Sequence, residues 1–357
     1  MRIVIDKAIF SLQKTGGISR YFTELINQIK KLDPLIQIRT IKTLPTFTSS
    51  SLVSIKNRLH NYVISNYLKQ QTSGVFHSSY YTRYSSLKIP QIVTVYDLIY
   101  EKFPQYFNKS QEKAFIKQKK QAIQNADLLI CISKAVKQDV IKHYQIPKNK
   151  LAVVHLGISP IFKPIKLAKV KQQFLKQQKL DKSFFLYVGR RSKYKNFKLL
   201  ARAFAKIPKN FSVNLVCVGG GNFNSKEILL FQKLKITHKV QVFPSVSDKQ
   251  LALFYNCAKA IVIPSLDEGF GLPLLEALAC RCPVIVSDIP VFREIARSIP
   301  IFFKPSKVES INQAMLTVLG KITLDNQLAK GLEYSKHFTW KKTAEKTLTL
   351  YKQLSQN

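Results

Sequence analysis

An α/β fold built on parallel sheets is what this sequence predicts, and three observations carry that expectation. Short apolar runs alternate with helix-like segments along the whole 357-residue chain. Several runs, such as Leu128-Leu129-Ile130-Cys131-Ile132 and Val284-Ile285-Val286, are apolar at every position. Strands buried on both faces, as in a parallel sheet covered by helices, need that continuity. Several runs also end in glycine, as at Val188-Gly189 and Val218-Gly219-Gly220-Gly221, where a strand turns sharply into a helix.

Taken in order, the strand-like runs fall at 2–5, 35–41, 91–95, 127–132 and 151–154, then at 183–188, 213–218, 239–243, 259–263, 283–286 and 299–303. Helical candidates between them include 18–31, 133–143, 196–206, 247–256 and 307–319. The alternation pauses from Pro160 to Lys182, a stretch with Pro164, a Lys/Gln-rich run from Lys169 to Gln173 and no strand. It reads as a linker followed by the approach to a second domain. Two Rossmann-like domains are therefore expected at 1–162 and 183–338, each long enough to bury a core, with 339–357 beyond them. Ligands of open α/β sheets bind outside the carboxyl ends of the strands, so two such sheets are expected to face a cleft.

The formal charge is +37. Residues 1–160 hold 24 Lys+Arg and 8 Asp+Glu against 33 and 12 in the remainder, so the excess is spread and is not a tail. A diffuse positive field suits an anionic membrane surface, a phosphorylated ligand or nucleic acid, and compositional bias alone also produces it. No nucleic-acid-binding module is recognisable, and no specific nucleic-acid partner is expected. Two segments have the make-up of helices that lie on an anionic surface or pack on a sheet with a wet basic face. One is Lys109 to Gln124, with Lys113, Lys117, Lys119 and Lys120 beside Phe115, Ile116 and Ile123. The other is Leu52 to Lys69, with Leu52, Ile55, Leu59 and Tyr62 at helical spacing.

The five cysteines sit mostly in apolar runs and lack the paired spacing of a zinc site, so no metal is expected and a reducing compartment fits. The first residues read as a strand with no signal-peptide core, and no apolar run approaches the roughly 20 residues that span a bilayer. A cytoplasmic protein, peripheral at the inner face of the cell membrane, is the expectation.

The most informative stretch is Pro264-Ser265-Leu266-Asp267-Glu268-Gly269-Phe270-Gly271-Leu272-Pro273-Leu274-Leu275-Glu276. It places two carboxylates eight residues apart around a Gly-Phe-Gly turn, after a strand and before a proline-started helix. The amides and positive dipole end of such a helix suit a phosphate. Glu276 can accept hydrogen bonds from sugar hydroxyls beside it, and Glu268 lies on the loop itself. A nucleotide-sugar site follows.

Five other places carry a ligand reading, most of them next to a structural one. Gly16 and Gly17 follow the first strand and either admit an acceptor or diphosphate close to the backbone or form an ordinary turn. Arg190 and Lys195, after Gly189, are candidate diphosphate clamps, one a fork and one a point charge. Gly220 lies in a tight turn beside which a nucleobase can stack. Tyr96 and Asp97 end the strand Gln91–Val95, where the Asp orients a sugar or the turn; His77, in another apolar run, is either structural or near an acceptor.

In this order the motifs resemble the retaining glycosyltransferases of family GT4, which have the GT-B fold. The likeness runs from Gly16-Gly17 through Ala126-Asp127-Leu128-Leu129-Ile130-Cys131-Ile132-Ser133 and Lys150 to Ile158, to Glu268 and Glu276, which look like the family's E-x7-E signature. The resemblance implies that Glu276 holds the donor ribose and that Glu268 contacts the donor sugar. It implies that Gly269, Phe270, Gly271 and Leu272 present backbone to sugar and diphosphate. It also implies that Arg190 and Lys195, with Gly17, neutralise the leaving diphosphate, and that the helix from Trp340 to Leu354 crosses back onto the first domain. Family members often carry His-Asp where this chain has Tyr96-Asp97; a tyrosine still donates a hydrogen bond but does not titrate near neutrality.

The expected activity is metal-independent transfer of a hexose, leaning to mannose, from a nucleotide diphosphate sugar to a saccharide or lipid-linked saccharide acceptor with retention, in cell-surface polysaccharide or lipopolysaccharide synthesis. No cofactor is expected beyond the donor itself. The alternatives are a non-catalytic nucleotide-sugar-binding protein of the same fold and an epimerase acting on nucleotide sugars.

Overall fold

The computed structural model describes residues 1–13, 16–42, 62–82, 84, 87–107, 110–320 and 324–356. Lys14, Thr15, Lys109 and, from the second basic segment, Leu52, Ile55 and Leu59 lie outside the described residues. The chain divides into two compact units, Met1–Gly157 with Phe338–Asn357, and Ile158–His337.

Each unit is a parallel six-stranded sheet among the described residues, flanked by helices. In the first unit the strands are β1 (Arg2–Asp6), β2 (Gln37–Ile41), β3 (Val75–Ser78), β4 (Gln91–Val95), β5 (Leu128–Cys131) and β6 (Leu151–Val153), in the spatial order β2-β1-β3-β4-β5-β6. In the second they are β7 (Ser183–Val188), β8 (Val213–Val218), β9 (Val240–Phe243), β10 (Ala260–Ile263), β11 (Val284–Ser287) and β12 (Ile301–Phe303), in the order β12-β11-β10-β7-β8-β9. The predominantly apolar runs became the central strands: every residue of β4, β5, β8, β10 and β11 is buried. This is the α/β architecture that the sequence predicts.

The topology fixes where a ligand goes. In the second unit the chain leaves β7 toward β8 and β9, then returns to lay β10 on the other side of β7. The loops after β7 and β10 therefore diverge at their carboxyl ends, the switch point at which open α/β sheets bind ligands. In the first unit the same reversal separates β1 from β3. The strand β3 was legible only as a short apolar run around His77.

Two expectations change. The Pro160–Lys182 stretch is not a bare linker: it contains the helix Ala168–Gln177, which belongs to the second unit and sets Phe174 edge-on to Phe254 at 4.9 Å. Asn256 holds the approach to it, accepting from the Ile165 amide at 2.7 Å and donating to the Lys163 carbonyl at 3.0 Å. With so few apolar side chains, that helix left little periodicity to read.

The helix Ser110–Asn125 buries Phe115, Ile123 and Lys119 and leaves Lys113, Lys117 and Lys120 exposed, so two of its three proposed apolar anchors are core residues. Residues from Phe338 onward belong to the first unit, where the helix Trp340–Leu354 packs on the helix Gly17–Leu32. A Cβ at Gly157 would stand 2.1 Å from the Trp340 amide nitrogen, so only glycine lets the two backbones meet. Among the described residues no helix is long and apolar enough to cross a membrane.

Candidate functional site

The carboxyl edge of the second sheet gathers most of the residues singled out from sequence. After β10 the chain runs through Ser265 and Glu268 to Gly271, whose φ of 102° and 2.8 Å approach of its would-be Cβ to the Phe292 ring both demand glycine. The helix Leu272–Ala279 starts there, with Pro273 in its first turn, and Leu274 to Ala279 are all buried. Phe270 is buried as well, so it contributes backbone to the loop while its ring packs inside.

Glu276 lies one turn into this helix, 4% exposed, and its Oε2 accepts from the Tyr255 hydroxyl at 3.0 Å. Burial and the neighbouring Glu276 carboxylate push the Tyr255 phenol well above its ordinary range, so it stays a donor that orients this carboxylate.

The loop after β7 meets the loop after β10 through a backbone bond from the Leu266 amide to the Tyr194 carbonyl at 2.8 Å. That bond brings Lys195 beside Glu268: Nζ to Oε1 is 2.6 Å, and the Ser265 hydroxyl donates to the same oxygen at 2.7 Å. Both side chains keep access to solvent, at 22% and 15% exposure. Arg190 is exposed, and its carbonyl accepts from the Tyr187 hydroxyl at 2.6 Å. The expected cations and Glu268 thus lie in the two loops that flank the switch point of this sheet, and Glu276 in the helix that follows one of them.

Sequence reasoning passed over Arg191. Its guanidinium pairs with Glu227 at 2.7 Å and donates to four successive carbonyls, those of Gly219, Gly220, Gly221 and Asn222. Nothing in the sequence separates it from Arg190, since both follow the glycine that ends the strand. Gly220, a predicted ligand position, is exposed at the tip of this turn.

The residues expected in the first unit are placed differently. Gly16 is the N-cap of the helix Gly17–Leu32, and Gly17 is its exposed first residue. Tyr96 is buried: its hydroxyl donates to the Ser79 carbonyl at 2.9 Å and its amide to the Tyr81 hydroxyl at 3.3 Å. The phenol that stands where family members often carry a histidine is therefore an internal strut of this unit. Asp97 is a third exposed and caps the next turn, accepting from the Ile99 amide at 3.2 Å.

Behind that turn stands a fully buried lysine that the sequence did not reveal. Lys119 donates to the Asp97 carbonyl at 2.7 Å and to Glu101 Oε2 at 2.9 Å. At the switch point between β1 and β3, buried Asp6 accepts from Ser79, Thr82 and the Ala8 amide, and burial raises its pKa. His77 is wholly buried, bonded to Thr94 Oγ1 at 2.8 Å and to the Tyr351 hydroxyl. Burial lowers its pKa to about 3, so it is a neutral structural residue.

Residues 169–355 match the model of the family described as glycosyl transferases group 1, and residues 15–161 that of glycosyltransferase family 4. The first match alone takes in more than half of the chain. The chain belongs to the glycosyl transferases group 1 family. It is 24% identical over 267 residues to O-antigen chain mannosyltransferase B of Escherichia coli, covering 74% of this chain and 70% of that one. It is 28% identical over 228 residues to O-antigen chain mannosyltransferase RfbU of Salmonella typhimurium, covering 64% of this chain and 60% of that one. Among solved structures it resembles WaaG, a glycosyltransferase involved in lipopolysaccharide biosynthesis, with a TM-score of 0.77 at 17% identity and coverage of 98% and 99%. Sucrose-phosphate synthase of Thermosynechococcus elongatus gives the same TM-score of 0.77 at 18% identity over 99% of both chains. These likenesses establish a GT-B glycosyltransferase architecture, the one the motif order implies.

Proposed function

We propose that this glycosyltransferase moves a hexose, mannose in the first instance, from a nucleotide diphosphate sugar to a hydroxyl of a saccharide acceptor with retention at the anomeric carbon. The observation that carries the reading is the Lys195–Glu268 pair at the switch point, with Arg190 exposed on the same loop as Lys195 and Glu276 held by Tyr255 one helical turn on. Lys195 and Arg190 take up the charge of the departing diphosphate, and the amides that open the Leu272–Ala279 helix add to them. Without a donor, Lys195 is held by Glu268; an arriving diphosphate competes for the ammonium and frees the carboxylate for sugar hydroxyls. Glu276 accepts from the donor ribose. The mannose lean rests on the two O-antigen mannosyltransferases above, as does a role in lipopolysaccharide or related cell-surface polysaccharide synthesis.

A lipid-linked acceptor at the cytoplasmic face of the membrane is part of this proposal. It is supported by the +37 charge, by the exposed Lys113, Lys117 and Lys120, and by five free thiols. Burial raises the pKa of every one of them, to about 12 for Cys131 and Cys280 and about 11 for Cys257, which keeps them protonated.

The test is a thermal-shift panel of UDP, GDP, ADP and their sugars, with and without EDTA. A ligand of the folded state at about 100 times its Kd adds roughly 2.7 kcal/mol. One nucleotide is expected to shift the wild type whether or not EDTA is present, and to lose most of that shift in Glu276→Gln. The conservative amide preserves the bond from Tyr255. No shift with any nucleotide overturns the donor site.

A further inference from the structure

We propose that Arg191 is the positioning residue of the donor site, a clamp that fixes the Gly219–Gly221 turn against the loop carrying Arg190; this rests on the donor-site reading above. Gly219, Gly220 and Gly221 all have left-handed backbone, with φ of 82°, 76° and 77°. Three consecutive glycines lose more backbone freedom on ordering than any other residues, so something must hold them.

The guanidinium does so with several contacts at once. Nη1 donates to the Gly219 carbonyl at 2.9 Å, and Nη2 lies 3.3, 2.9 and 2.9 Å from the carbonyls of Gly220, Gly221 and Asn222. Nε pairs with Glu227 at 2.7 Å, and the guanidinium sits 4.9 Å from the centre of the Phe223 ring. The Arg191 side chain is only 3% exposed.

Glu227 is itself fixed, because its Oε2 accepts from the Asn224 amide at 2.8 Å in the capping box that opens the helix Ser225–Lys233. The loop after β7, the turn after β8 and the following helix are thereby joined at one side chain. The turn also lies against the neighbouring loop: a Cβ on Gly220 would come within 2.7 Å of the Gly189 carbonyl oxygen and 3.0 Å of the Arg190 Cα. The position of the Arg190 backbone is thus set by the turn that Arg191 holds. A planar, five-donor fork can satisfy one carboxylate and several carbonyls together, whereas a lysine ammonium cannot. A site ordered before its ligand arrives binds more tightly, because the ordering cost is already met.

The test measures donor KM, kcat and melting temperature for the wild type, Arg191→Lys, Arg191→Met and Glu227→Gln, using the nucleotide sugar that shifts the wild type. Arg191→Met is expected to raise donor KM about tenfold with kcat within about threefold, since the reacting groups remain. Arg191→Lys is expected to recover part of that loss, and Glu227→Gln to give a smaller change in the same direction. Should Arg191→Met not fold, Glu227→Gln carries the test alone. A variant that melts lower yet keeps the wild-type donor KM marks a purely structural residue and overturns the inference while leaving the donor site standing. A wild type that binds no nucleotide overturns the donor site, and the inference falls with it.

Discussion

Two lysine–glutamate pairs stand beyond carboxyl ends of strands in this protein, one in each unit, and their surroundings give them opposite uses. Lys119 reaches Glu101 at 2.9 Å with the ammonium fully buried and the carboxylate 9% exposed. Lys195 reaches Glu268 at 2.6 Å with both partners still wet. The first pair is closed: its lysine also holds the Asp97 carbonyl, and the Tyr144 hydroxyl takes the other Glu101 oxygen. The second lies on the loops that carry exposed Arg190 and the start of the helix Leu272–Ala279, where the proposed diphosphate would replace the carboxylate. Burial makes the same chemistry a structural rivet in one place and an exchangeable contact in the other.

Crossed substitutions separate the two uses, and they carry the largest expected effects. Lys195→Met is expected to lower transferase kcat/KM by about 10²–10³-fold, because a preorganised cation leaves the site of developing negative charge. Its stability should change by about 1 kcal/mol or less, as for a solvent-accessible pair. Lys119→Met is expected to cost about 3 kcal/mol or more of stability, since Glu101 is left buried without its cation, while activity per folded molecule stays within a few-fold. Urea titration and initial rates on both variants decide the matter. If Lys119→Met loses activity at full stability, the first pair belongs to the site and the contrast fails.

The contrast also explains what was legible from sequence. The second unit was readable because its site is local: Arg190 to Lys195 and Glu268 to Glu276 are each contiguous, and glycines mark where the backbone must turn. The first unit hides its organisation in distance. Asp6 meets Ser79 and Thr82 across more than 70 residues, and His77 meets Tyr351 across 274. No spacing rule links such partners. In sequence Lys119 is indistinguishable from Lys113, Lys117 and Lys120, all expected on a wet or membrane-facing basic side; only the fold reveals which lysine turns inward. Arg191 was hidden for another reason, since adjacent arginines look alike in sequence and only the fold shows which one turns to the carbonyls of Gly219 to Asn222.

His77 tests the buried character of the first unit through pH. Its folded pKa of about 3 lies below the ordinary 6.5, so an unfolded chain takes up a proton that the fold refuses. Stability should therefore fall as pH drops from about 6.5 toward 3, by up to about 1.4 kcal/mol per pH unit from this one group. Asp6, with a raised pKa, acts in the opposite sense, but it is common to wild type and variant and cancels in their difference. Comparing denaturation of the wild type with His77→Gln between pH 7 and about 4 isolates the histidine, as glutamine can still bond Thr94 and Tyr351. Parallel pH curves for the two proteins would mean that His77 is solvated and that the first unit is looser than its packing indicates.

The smallest effect is expected at Tyr96, and it bears most directly on the departure from the family pattern. A histidine at this position would bring a titrating group to the turn, whereas this tyrosine is buried, its pKa is pushed well above the ordinary value, and its hydroxyl is spent on the Ser79 carbonyl. Replacing it by phenylalanine keeps the ring contacts with Tyr21, Tyr80 and Tyr81 and removes one hydrogen bond. The expected cost is about 1 kcal/mol of stability with kcat/KM within about threefold. A hundredfold fall in kcat with unchanged stability would show instead that the phenol turns to the substrate during the reaction. Both pairs would then flank chemistry, and Lys119, which holds the neighbouring Asp97 carbonyl, would have to be counted with the site rather than with the frame.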